Sequence, residues 1–118
     1  MQPVVAIGEI LFDKIDSELI LGGAPLNLAL TAHQVLAAHD GQCIPVSRVG
    51  NDKLADIVFE ELKSRDVSPE FIQQDLESPT GTAVVTRTAT DHHFTITEDV
   101  AWDRLTDTKD LAVLAGNC

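Results

Sequence analysis

The sequence predicts an α/β fold, a parallel sheet with flanking helices joined to a small separate β layer. Three observations carry this. Short apolar, β-branched runs such as Val4–Ile7 and Ile44–Val49 stop at glycines, as buried parallel strands do. Two stretches with helical spacing, opening near Pro25 and Asp52, alternate with such strands in a βαβ rhythm. Two further segments, at about residues 9–21 and 80–98, read as extended pairs that stand outside that rhythm.

Along the chain, Val4-Val5-Ala6-Ile7 is the first buried strand and ends at Gly8. Ile10, Phe12, Ile15 and Leu19-Ile20-Leu21 favour a short hairpin with its turn near Asp16-Ser17. Gly22-Gly23-Ala24-Pro25 is a loop that opens a helix, and Pro25 suits the first helical position because its missing N–H would be unpaired there. Leu28, Ala32, Val35 and Leu36 recur at helical spacing, and Asp40-Gly41 is a stop. After the Ile44–Val49 strand, Asn51 or Asp52 can cap a second helix. Leu54, Ile57, Val58 and Leu62 lie along one side of that helix with Glu61 among them. Phe71-Ile72-Gln73 reads as a short strand and Ser78-Pro79-Thr80-Gly81 as a turn. Thr82–Thr88 and His93–Thr97 pair around Ala89-Thr90-Asp91-His92. Ala112–Gly116 reads as one more buried strand, which would leave a sheet face uncovered.

A chain of 118 residues is one domain or part of one, and 44% hydrophobic with 23% charged residues is an ordinary globular composition. The net charge of −11 argues against general nucleic-acid binding and against docking on anionic membranes. No apolar run approaches the roughly 20 residues of a membrane span, and no signal-peptide pattern opens the chain, so the reading is cytoplasmic. Cys43 and Cys118 fit neither a disulfide framework nor a CxxC metal site, and Cys43 reads as a small core residue.

Few residues carry chemistry. Gly22-Gly23 allow close backbone approach, the following helix start offers free N–H groups, and Asn27 adds a donor and an acceptor. That set suits a polyhydroxylated ligand. It also suits an ordinary glycine turn with a helical Asn, which spacing alone favours. Asp13 follows the first strand end, where open α/β sheets gather ligands, but taken alone a solvated turn Asp is the better reading. Neither GxGxxG nor GxxxxGK[ST] is present, and no GxSxG. His92-His93 reads as a solvated hairpin tip with no metal partners nearby, His33 and His39 are isolated, and Trp102 packs under a loop.

These segments, in order, resemble the start of a ribokinase/PfkB-family carbohydrate kinase, and most of all its fructokinase-like members. Ala6-Ile7-Gly8-Glu9-Ile10-Leu11-Phe12-Asp13 is similar to the first core strand and its exit. Gly22-Gly23-Ala24-Pro25-Leu26-Asn27-Leu28-Ala29 is similar to half of the family's N-terminal signature. Val46-Ser47-Arg48-Val49-Gly50-Asn51-Asp52 matches a second strand and helix start, and Pro79-Thr80-Gly81-Thr82 the opening of a lid strand. Ile96-Thr97-Glu98-Asp99-Val100-Ala101-Trp102-Asp103 matches a stretch after the lid in fructokinase-like members. The family's glycine near the helix end is replaced by Leu36, with Gly41 the nearest glycine.

The resemblance implies a ribokinase-like fold, Rossmann-like in its parallel sheet, with a β lid, incomplete relative to the full family fold. It implies that residues 1–118 are the N-terminal part of one kinase domain, with lid segments at about 9–21 and 80–98. Asp13, Gly22, Gly23 and Asn27 would contact the hydroxyls of a fructose-like sugar, and Phe94 and Ile96 of the lid would cover it. The family reaction uses ATP and Mg2+, with a GAGD motif supplying the catalytic base. That motif is absent from residues 1–118, so no catalytic residue, no metal site, no tight ATP binding and no activity of the chain alone are expected. A homodimer through the lid is implied as well. The other readings are a non-catalytic sugar-binding or lid-dimerisation module, or a truncated gene product that is marginal or self-associating.

Overall fold

In the computed structural model, which describes residues 1–118, the first apolar run forms strand β1 (Val4–Ile7). Two strand pairs follow the expected boundaries. The hairpin is β2 (Leu11–Ile15) and β3 (Glu18–Gly22), turning at Asp16-Ser17 with Asp16 at φ 54°. Helix α1 (Ala24–Ala37) starts after Gly23, so Pro25 is the second helical residue and not the first. It lacks a backbone N–H in a turn where that group has no helical partner in any case.

The buried face of α1 is Leu26, Ala29 and His33. Leu28 and Val35, expected on the inner stripe, are 58% and 62% exposed. The helix is apolar over several faces, so spacing alone did not single out the one that packs. His33 is not idle: its Nδ1 accepts the Cys43 backbone N–H at 3.2 Å. This hydrogen bond ties α1 to strand β4 (Cys43–Gly50) beside buried Cys43.

Helix α2 (Lys53–Ser64) is capped by Asp52, whose carboxylate accepts the Ala55 N–H at 2.9 Å. Its buried stripe is Ala55, Val58 and Leu62, while Ile57 points outward. Strand β5 (Ile72–Asp75) begins one residue later than Phe71. Strands β6 (Gly81–Arg87) and β7 (His92–Ile96) pair antiparallel, so His92 and His93 open a strand and do not form the tip. A 3-10 turn covers Ala101–Arg104.

The last expected strand is instead helix α3 (Lys109–Gly116). Periodicity cannot separate a short apolar run of strand from one of buried helix. Thr108 decides it locally, because its hydroxyl accepts the Leu111 N–H at 3.1 Å and caps the helix. Leu111 and Leu114, three residues apart, then pack toward Ile44 and Val46. The sheet face that a terminal strand would have left bare is thus partly covered by α3.

The strands form two sheets. One is parallel, in the order β1-β4-β5, with Ala6 opposite Pro45 and Val49 opposite Gln74. The other runs β3-β2-β6-β7, with β2 and β6 parallel at its centre. The main core combines Val49, Ala55, Val58, Leu62, Val67 and Ile72 with Leu26, Ile10 and Phe12. Ile10 and Phe12 belong to the root of the second sheet, so that sheet is anchored in the same core. No helix is long and apolar enough to cross a membrane.

Candidate functional site

Side chains alternate across a strand, so Leu11, Asp13 and Ile15 share one face of the second sheet. The pairing places Ile20 on one side of Asp13 and Ala83 on the other. Ile96 lies beyond Ala83, and Phe94 lies opposite Val85. Asp13, Ala83, Ile96 and Phe94 therefore stand on the same face. Two strand spacings separate Asp13 from Ile96, about 10 Å. Phe94 and Ile96 are 66% and 54% exposed at the edge strand, while Leu11, Ala83 and Val85 on the same face are buried.

Asp13 is half-buried, and its carboxylate leans over Gly22: a methyl on Gly22 would stand 3.1 Å from Asp13 Oδ2. Gly23 turns the chain from β3 into α1 at φ 102°, and a methyl there would stand 2.7 Å from the Glu9 carbonyl oxygen. Both the conformation and the contact require glycine. The Asn27 N–H makes the first helical bond, to the Gly23 carbonyl at 3.0 Å. The N–H groups of Ala24 and Leu26 precede that bond, and the Asn27 side chain is exposed beside them. Asp13, Gly22, Gly23 and Asn27 thus gather where the second sheet meets the first helix. Phe94 and Ile96 share the face of Asp13 but stand off to its side.

The chemistry of this arrangement is hydrogen bonding. A carboxylate accepts hydroxyls, a carboxamide both donates and accepts, and the helix start offers N–H donors. No group of three or more His, Cys, Asp or Glu residues gathers as metal ligands. His92 and His93 are exposed, and His93 Nε2 lies 3.9 Å from Asp91.

Three features were not legible in the sequence. Trp102 lies against the root of the Asp13 face, where a methyl on Gly81 would stand 2.7 Å from its Cδ1, and its Nε1 is buried without a partner. Arg48 Nε donates to Asp75 at 2.9 Å and its Nη1 to Gln73 at 3.1 Å, while Gln73 bonds both backbone groups of Thr106. Asp52 bonds the Thr80 N–H and hydroxyl as well as capping α2. Side-chain hydrogen bonds between residues 25 or more positions apart leave no periodic mark on a sequence. An apolar groove between β1 and α3 is lined by Val5, Ile7, Val46 and Leu114 and reaches Thr106.

The fold and sequence have clear relatives. An uncharacterized sugar kinase, PH1459, from Pyrococcus horikoshii matches with 28% identity and a TM-score of 0.73, over 84% of this chain and 36% of its own. The same protein in complex with ATP matches equally well. Halothermothrix orenii fructokinase matches in fold, with 24% identity, a TM-score of 0.77 and coverage of 93% and 42%. A Vibrio cholerae fructokinase in a form with fructose, ADP and calcium bound shares 24% identity and a TM-score of 0.62, over 85% of this chain and 34% of that one. No curated protein matches. The chain spans little more than a third of the length of the sugar kinase PH1459. The family model of the pfkB family carbohydrate kinases matches residues 7–115, and the chain belongs to that family.

Proposed function

We propose that this chain is the sugar-binding portion of an ATP-dependent carbohydrate kinase acting on a fructose-like sugar. The single observation behind this reading is the shared face of the second sheet. It sets Asp13 over Gly22, beside the Gly23–Asn27 helix start, with Ile96 and Phe94 on the flank. In this reading Asp13 accepts two sugar hydroxyls. Asn27 and the N–H groups at the start of α1 bind others. The second sheet is the lid, and Phe94 and Ile96 close over the sugar to exclude water.

ATP supplies the phosphoryl group and Mg2+ the charge neutralisation in such a reaction. The residues gathered here fit hydroxyls and not phosphates: the site holds a carboxylate and no cation, and the chain has no glycine-rich phosphate loop. The residues that deprotonate the sugar and hold the nucleotide lie outside residues 1–118, and the chain alone does not turn over. The exposed Phe94 and Ile96 also fit a lid that pairs with a second copy in the full assembly.

The test is thermal unfolding with and without millimolar D-fructose, alongside ADP release from Mg-ATP. We expect fructose to raise Tm, since a ligand at about 100 times its Kd adds about 2.7 kcal/mol. Asp13→Ala abolishes the rise, and neither protein releases ADP. A rise that survives Asp13→Ala refutes the site, and fructose-dependent ADP release refutes the absence of the phosphoryl-transfer residues.

A further inference from the structure

The second sheet joins the α/β layer at four crossings of the chain, Ile10–Leu11, Gly22–Gly23, Thr80–Gly81 and Thr97–Val100. Apolar burial secures three of them: Ile10 at the first, Leu26 just beyond the second, Val100 and Ala101 at the fourth, each no more than 1% exposed. The third has Trp102 against Gly81 and the Ala101 N–H on the Pro79 carbonyl at 2.7 Å, and in addition a carboxylate. Asp52 Oδ1 accepts the Thr80 hydroxyl at 2.7 Å, and Oδ2 accepts the Thr80 N–H at 2.9 Å. The Thr80 hydroxyl in turn accepts the Gly50 N–H at 2.9 Å. Thr80 is 1% exposed, so its N–H and hydroxyl are shielded from water, while Asp52 is half-buried.

Capping α2 requires one oxygen of Asp52, and the Ala55 N–H takes it. The other, Oδ2, accepts the Thr80 N–H, and Oδ1 carries the Thr80 hydroxyl beside the cap. Position 50 is shaped for this contact: a methyl on Gly50 would stand 2.7 Å from both Thr80 N and Asp52 Oδ2. Hydrogen bonds to a charged acceptor are about twice as strong as neutral ones. The strand that starts at this point, β6, pairs along its length with β2, where Ala83 is the register partner of Asp13.

We infer that Asp52 and Thr80 form a latch that locks β6 to the start of α2, and that through β6 they are positioning residues for the Asp13 face. Its bearing on sugar binding rests on the function proposed above; the latch itself does not. The two ends of the latch come from Gly50-Asn51-Asp52 and Pro79-Thr80-Gly81, so one carboxylate joins a helix start to a sheet root.

Amide hydrogen exchange on the 118-residue chain tests this, without and with D-fructose, for wild type, Thr80→Val and Thr80→Ser. Valine keeps the shape and the N–H, and leaves Asp52 free to cap α2. We expect Gly81–Arg87 amides to exchange about tenfold faster in Thr80→Val, with α2 unchanged, and wild-type rates in Thr80→Ser. Fructose affinity falls in the valine variant and returns in the serine one. Equal exchange in wild type and Thr80→Val, or no rescue by serine, overturns the latch. If fructose protects nothing in wild type, the sugar reading fails, and the sugar-free comparison still decides the latch. Should Thr80→Val not fold, Asp52→Asn keeps the capping oxygen, loses the second acceptor, and is expected to loosen the same amides.

Discussion

Asp75 is a buried carboxylate with both oxygens hydrogen-bonded. Its Oδ1 accepts the Ser78 N–H at 2.8 Å and the Glu77 N–H at 2.9 Å, and Oδ2 accepts Arg48 Nε at 2.9 Å. The two backbone donors, and then the Arg48 guanidinium, hold its pKa down at about 2. Burial raises the pKa of Asp52, but the donors at Thr80, Ala55 and Leu54 outweigh that and leave it below the ordinary value. A carboxyl that is more acidic folded than unfolded stabilises fully above its unfolded pKa of about 3.9 and loses that contribution as pH falls through the folded value. The chain is therefore expected to lose stability progressively as pH falls from about 4 toward 2. Asp75→Asn should be less stable than wild type at pH 7, with the gap closing near pH 2. Urea unfolding across that range checks it, and a gap independent of pH would show that Asp75 does not titrate as its contacts require.

At the scale of elements, α3 makes the sharpest distinction between the two readings of residues 112–116. A strand would put Leu111 and Leu114 on opposite faces, whereas the helix packs both toward Ile44 and Val46. The helix buries Leu114 against Ile44 and Val46 and leaves Val113 64% exposed. Leu114→Ala should cost about 2 kcal/mol, at the lower end for a Leu truncation because the site lies at a domain surface. Val113→Ala should stay within about 0.5 kcal/mol. Denaturant midpoints for the two variants check the difference, and equal losses would contradict the packing of Leu114 against Ile44 and Val46. The other elements were largely legible. β1, both hairpins, α2 and its Asp52 cap follow from apolar runs, turn residues and capping chemistry, which are local signals. α1 was placed correctly but its packing face was not, since Leu28 and Val35 are as apolar as Leu26. Of the candidate site, Asp13, Gly22, Gly23 and Asn27 stand out only through the family resemblance, because spacing alone favours a glycine turn and a solvated Asp. Their approach to one another depends on the β2–β3 register, which the hairpin turn made readable. Trp102, Arg48 with Asp75, and Asp52 with Thr80 were not readable, because each depends on where distant strands come to rest.

The molecule as a whole is two sheets sharing one core, and its two cysteines differ in exposure. Cys118 is exposed at the end of α3. Cys43 is 0% exposed beneath α1, next to Ala6 and Ala29, and burial pushes its thiol pKa upward. Only a thiolate attacks a disulfide reagent, so the native fold denies Cys43 both the charge and the access. The unmodified protein thus carries its own clock. An aromatic disulfide reagent should consume one thiol equivalent at once, and the second at the rate at which α1 lifts from β4.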